Sequence, residues 1–286
     1  MMKKLLTLAF ISLCVAAFAQ KTKKLLGVCQ PQELEKEPYA SWYAPNYQSY
    51  SVDASAVSQL TKRNLKKYTI KIVFGSWCGD SKREVPRFIK LLNAASFPAE
   101  NVQLIGVQDS LQLYKQSPGH EERGLNVYRV PTFIIYEKNK EAGRITEYPV
   151  LSLERDLEML LSKKDYTSNY FSYPLINDWM QQGILADPNI SARGLANQLR
   201  KLVANESELN SCGYVLLMSG KVKESITVFR INVNLFPQSV NCLDSLGEAY
   251  VIAGQNDKAI QAYEAAQHLD PSNENVKKQL SKLKIE

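Results

Sequence analysis

The sequence predicts two unlike halves, an α/β sandwich built on a central mixed sheet flanked by helices, followed by an all-α helical repeat. Short β-branched apolar runs alternate with amphipathic stretches between residues 50 and 163, the pattern of strands and helices layered on one sheet. From 206 to 273 the chain repeats itself at a spacing of 34 residues. The 286 residues are enough for two domains at ~150 residues each.

Composition narrows the class. With 45% hydrophobic and 22% charged residues, the chain is neither disordered, collagen-like nor a multi-span membrane protein. Its net charge is +6, from 35 basic and 29 acidic residues. Such a mild excess does not predict a nucleic-acid partner, which calls for clustered Lys/Arg interleaved with aromatics. The run Lys21 to Lys24 reads as a solvated tail. His120 and His268 lie far apart and no cysteines are paired at zinc spacing, so no metal site is expected. No cofactor is expected either, since no Gly-rich loop could cradle a phosphate.

Residues 1–19 carry the three-part pattern of a secretory signal peptide. Lys3 and Lys4 precede an apolar run from Leu5 to Phe18, and Ala17-Phe18-Ala19 offers a small-x-small cleavage site. The run is short for a bilayer span, and Leu13 before Cys14 does not suit lipid attachment. The expectation is an exported protein of the bacterial periplasm with no membrane anchor. Cys29, Cys78, Cys212 and Cys242 would remain after cleavage. Their spacing is not that of a disulfide-stapled miniprotein.

Residues 20–49 read as an irregular lead-in. Pro31, Pro38 and Pro45 interrupt it, and its aromatics Tyr39, Trp42, Tyr43 and Tyr47 are expected to pack on the next domain. Asp53 can cap a helix reaching about Lys67, with Val57, Leu60 and Leu65 on one face. Thr69 to Gly75 reads as a buried strand, and a helix follows Cys78 to about Ala95 despite Pro86. Val102 to Val107 is a second strand, with Asp109 placed to cap a short helix from Leu111 to about Gln116. Val130 to Tyr136 and, more weakly, Arg144 to Tyr148 are further strands, and Leu153 to Leu161 is an amphipathic helix. Residues 164–191 read as a linker rich in tyrosine and proline.

In the repeat, Gly213 matches Gly247, Gly220 matches Gly254, Ile226 matches Ile260, Phe229 matches Tyr263 and Pro237 matches Pro271. Small residues let paired helices approach, and prolines stop the second helix of each unit. This helix–turn–helix period resembles the tetratricopeptide (TPR) repeat. Repeats are placed at about 206–239 and 240–273, with a capping helix at 274–285 and residues 192–204 as an opposite cap. Two repeats fall below the usual minimum of three, so they are expected to lean on flanking helices or on the first domain. The concave face of such an array is expected to bind a protein partner. Cys212 and Cys242 read as small core residues, a bridge between repeats being the alternative.

The chemistry centres on Trp77-Cys78-Gly79-Asp80-Ser81, between a buried strand and a helix. A cysteine at a helix N-terminus gains from free backbone N–H groups and the helix dipole, which favour the reactive thiolate. Asp80 opposes this with a nearby negative charge. Residues 50–163 resemble the thioredoxin fold. Trp77-Cys78-x-x-Ser81 stands where that family has Trp-Cys-x-x-Cys, and Lys82 and Pro86 match its active-site helix. Val130-Pro131-Thr132 matches its cis-proline loop, and this resemblance implies a cis Pro131 facing Cys78.

Two departures concern the same step. The second cysteine, which resolves the mixed disulfide, is Ser81, and the position of the family's buried acid is Ile72. The attacking cysteine is kept. The resemblance therefore implies a thiol–disulfide exchange protein with one catalytic cysteine, Cys78, contributing to cell redox homeostasis. Ser81 would stabilise its thiolate, and Pro131 would shape a groove for protein or peptide thiols and disulfides. Trp77, Gly79, Asp80 and Val130 would line that groove. Cys29 could resolve the intermediate from a distance if the lead-in folds over the site, and His120 could tune the thiolate. The alternative is a non-catalytic binding or scaffold protein of the cell envelope. A thiol peroxidase fits less well, because Gly75-Ser76-Trp77 lacks the Thr/Ser and Pro such enzymes place before the cysteine.

Overall fold

The computed structural model describes residues 23–284; the segment 1–19, read from the sequence as a signal peptide, lies outside the described residues. Five strands form one mixed sheet in the order β1-β3-β2-β4-β5. They are β1 (Gly27–Cys29), β2 (Tyr68–Phe74), β3 (Val102–Gly106), β4 (Thr132–Glu137) and β5 (Lys140–Thr146). Only β2 and β3 run parallel, in the register Ile72 to Leu104; the other pairs are antiparallel.

The period-2 alternation of β2 divides the core. Ile70, Ile72 and Phe74 point into a large cluster closed by helices α1 (Ala40–Ser49), α2 (Ala54–Thr61), α3 (Gly79–Ala94) and α4 (Leu153–Leu161). At its centre the rings of Phe88 and Phe133 lie 4.3 Å apart. Val73 points the other way, into a smaller cluster with Ile105, Val107, Val127, Val130 and Ile134. The long loop between β3 and β4 covers that face instead of a helix.

Several elements differ from expectation. The lead-in carries β1 and α1. Pro45 and the crowd of aromatics hide any period in α1, yet Tyr39 and Tyr43 are buried, and Lys90 Nζ donates to the Gln48 and Tyr50 carbonyls at the helix end (3.1 and 2.6 Å). Asp53 caps α2 through the Ser55 and Ala56 N–H groups (2.8 and 3.2 Å) as expected, but the helix stops at Thr61. The helix expected after Asp109 is one 3-10 turn, Leu111–Leu113, with Ser110 at its N-cap position. Asp109 instead pairs with Lys24, so the end of the basic run is not merely a solvated tail. β5 begins earlier than Arg144 because Lys138 and Asn139, with φ of 51° and 63°, make a two-residue hairpin turn without the usual glycine.

The segment read as a linker contains helix α5 (Ser172–Gln181), with Pro174 in its first turn, where a missing N–H costs nothing. Then come α6 (Ala192–Leu199), α7 (Glu206–Met218), α8 (Val222–Leu235), α9 (Val240–Ile252), α10 (Asn256–Leu269) and α11 (Glu274–Leu283). Consecutive helices from α7 onward pack on one another. The glycine–aromatic match in the sequence has a steric cause. A Cβ on Gly213 would lie 2.5 Å from the Phe229 ring, and one on Gly247 would lie 2.7 Å from the Tyr263 ring. The first pair leans on α5, α6 and Tyr128 through one shared core that includes Trp179, Leu195 and Leu209. Among the described residues no helix is long and apolar enough to cross a membrane.

Candidate active site at Cys78

β2 ends at Phe74, and four residues turn the chain into α3. Cys78 is the N-cap of that helix, in an extended conformation (φ −80°, ψ 129°), its N–H donating to Gly75 O (2.9 Å). The first helical bond runs from Lys82 N to Cys78 O (3.0 Å). This leaves the thiol beside N–H groups that have no partner within the helix. Cys78 is half-buried, against Val73, Val107 and Val130. Its Sγ lies 3.2 Å from Val130 O, and the Val130–Pro131 peptide is cis, as the resemblance implies.

Trp77 folds back over Gly75, where a Cβ would meet the indole at 2.5 Å, and donates from Nε1 to Val107 O (2.8 Å). It is a packing residue that closes the strand side of the loop. Gly79 begins the helix with open space around its Cα. The Asp80 carboxylate pairs with Arg83 (2.8 Å), which offsets its charge beside the sulfur.

Ser81 does not occupy the place expected of it. It is fully buried, and its hydroxyl accepts the Gly75 N–H (3.1 Å). Among the described residues no hydrogen bond joins it to the Cys78 thiol. The Ser81 side chain thus ties the first turn of α3 to the loop residue that follows β2.

The other cysteines are free, buried and apart from the site. Cys29 is on β1 in the large cluster, on the opposite face of the sheet from Cys78. Burial, with Glu33 adding to it, pushes its thiol up to about 12. Both observations argue against a resolving role. Burial pushes Cys212 up further and Cys242 up to about 11. No bridge joins the repeats. His120 faces Glu122 (3.7 Å) on its own loop.

The structure adds groups that the sequence did not mark. Arg129, next to Val130, donates to Ser207 O and Oγ of α7 (2.7 and 3.0 Å) and pairs with Glu147 (3.6 Å). Glu147 N donates to Pro131 O (2.7 Å). Burial raises the Glu147 carboxyl above its ordinary range, Arg129 acting against this and Asp80 with it. Lys115, 4% exposed, donates to Tyr114 OH (2.8 Å) and Tyr128 O (2.9 Å) as well as to Ser211 Oγ. Burial lowers its ammonium. Only the position of Arg129 just before Val130-Pro131 could have signalled any of this.

No protein-family model matches the chain, and no curated protein matches it either. Among the described residues no three His, Cys, Asp or Glu side chains gather as a metal site would require.

Proposed function

We propose that this protein is an exported thiol–disulfide exchange protein of thioredoxin-like type, using Cys78 as its single attacking cysteine, with tetratricopeptide-like helices that engage protein partners. One observation carries the reading: a half-exposed cysteine caps a helix, its sulfur 3.2 Å from the carbonyl before a cis proline, with serine where a resolving thiol would stand. The Cys78 thiolate attacks a substrate disulfide R–S–S–R′. A Cys78–S–S–R bond forms, the R–S–S–R′ bond breaks, and R′–S⁻ leaves and takes up a proton. A thiol of a small molecule or a second protein then attacks the mixed disulfide, restoring the Cys78 thiolate and carrying R away as a new disulfide. No net electrons are gained or lost by the protein over the cycle.

The burial of Cys29, Cys212 and Cys242 supports this external resolution. The locked Ser81 supports a second reading, a binding protein in which Cys78 is not turned over. Exchange between reduced glutathione and a peptide–glutathione mixed disulfide separates the two. The first reading predicts acceleration by the intact chain that is lost in Cys78→Ser; equal rates with both chains refute it.

A further inference from the structure

Cys78 and helix α7 meet through one short stretch of loop. We infer that the helical region is a built part of the Cys78 site, with Arg129 the positioning residue that fixes the Val130 carbonyl against the thiol. The inference rests on the reading of Cys78 as the attacking group.

Two consecutive residues precede that carbonyl, and helical elements hold both. Arg129 reaches Ser207 twice, lies 3.4 Å from Tyr173 OH through Nε, and places its guanidinium 5.0 Å over the Tyr170 ring. The Tyr128 carbonyl accepts from Ser211 Oγ (2.7 Å) and Lys115 Nζ (2.9 Å), and Tyr128 OH donates to Asn177 of α5 (2.8 Å). The sheet side closes the clamp, because Thr132 Oγ1 donates to Arg129 O (2.7 Å) and Glu147 N to Pro131 O.

An apolar joint would hold two bodies together and leave the loop free to slide. Directional bonds onto the Tyr128 carbonyl from buried Lys115 and Ser211, with the Arg129 fork tied to α7, fix the position of the stretch. The planar fork of Arg129 spans Ser207, Tyr173 and Glu147 at once, which a lysine ammonium does not reproduce. The consequence lies at the sulfur. A thiol hydrogen-bonded to a fixed carbonyl is held in one orientation, and loosening that carbonyl frees the sulfur to react.

The repeat supplies an internal control. Ser211 and Ser245 stand 34 residues apart and are both buried. Only Ser211 touches the loop; Ser245 faces Tyr214 OH (3.3 Å). The test is the rate of Cys78 alkylation by iodoacetamide across pH, read by peptide mapping of the folded full chain. Arg129→Lys and Ser211→Ala should each speed labelling about threefold below the midpoint and move its pH profile lower. Ser245→Ala should leave both unchanged. Thermal melting checks folding, and the serine variant serves if the arginine variant does not fold. Rates unchanged or slower in folded Arg129→Lys and Ser211→Ala overturn the inference and leave the exchange reading intact. A Cys78 that responds to these variants but never exchanges disulfides overturns that reading alone.

Discussion

Helix pairs α7–α8 and α9–α10 are near copies, 34 residues apart, yet they have different work. Both have glycine under an aromatic ring, and both have a left-handed glycine, Gly220 (φ 80°) or Gly254 (φ 68°), between their helices. They diverge on the faces they turn outward. On α7, Ser207, Ser211 and Tyr214 meet Arg129, Tyr128 and Tyr114 of the α/β part. At the matching places on α9 stand Asn241, Ser245 and Glu248, and these contact α7 itself. Glu208, bonded to Ser172 of α5, has its match in Cys242. A repeat thus fixes a scaffold, while a few polar positions decide what each copy packs against, the α/β part for α7 and α7 itself for α9.

Matched substitutions break or sharpen this comparison. The largest effect is expected at the shared feature. Gly213→Ala and Gly247→Ala each drive a methyl into a buried ring, so each should cost about 1–3 kcal/mol in chemical denaturation. A much smaller cost at one site would mean that its pair opens easily. Ser225 donates to Gly213 O (2.8 Å), whereas its match, Ala259, has no such group. Ser225→Ala should therefore cost about 1 kcal/mol and make the first pair like the second.

A pH effect follows from Glu208. Burial raises its carboxyl above the ordinary 4.5, partly countered by Ser172 and the Ala204 N–H. The folded chain then binds more protons than the unfolded one between 4.5 and the raised value. Its contribution is complete below 4.5 and is lost as pH rises through the folded value. The melting temperature of the intact chain relative to Glu208→Gln should fall as pH rises across that window, and a flat difference would refute the linkage. The smallest effect belongs to half-buried Glu137, whose carboxyl is pulled down to about 2 by Lys163 and Lys67. Its contribution is present above 4.5 and fades as pH falls toward 2, so Glu137→Gln should matter at neutral pH and not in strong acid.

What could be read from the sequence was local or periodic. The 34-residue offsets located the helices of both pairs, because a steric fit between glycine and ring repeats with the chain. Val130-Pro131-Thr132 and the Trp77 to Ser81 stretch marked the thiol site, because strand-to-helix chemistry is written in neighbouring residues. Helices α1 and α5 were hidden by Pro45 and Pro174, which sit inside helices stabilised by packing. The clamp on Tyr128 and Arg129 was not legible. Lys115 lies 96 residues from Ser211 and Arg129 lies 78 from Ser207, and no spacing rule links them. Ser81 shows the reverse failure, since a hydroxyl near a thiol suggested a bond that the backbone of Gly75 takes instead.

The most direct test of a lone attacking cysteine is incubation of the folded chain with glutathione disulfide, followed by mass mapping of its cysteines. The account predicts one glutathione adduct, on Cys78, that persists until an external thiol is added, with Cys29, Cys212 and Cys242 unmodified. No adduct on Cys78, or a Cys29–Cys78 disulfide in its place, would contradict it.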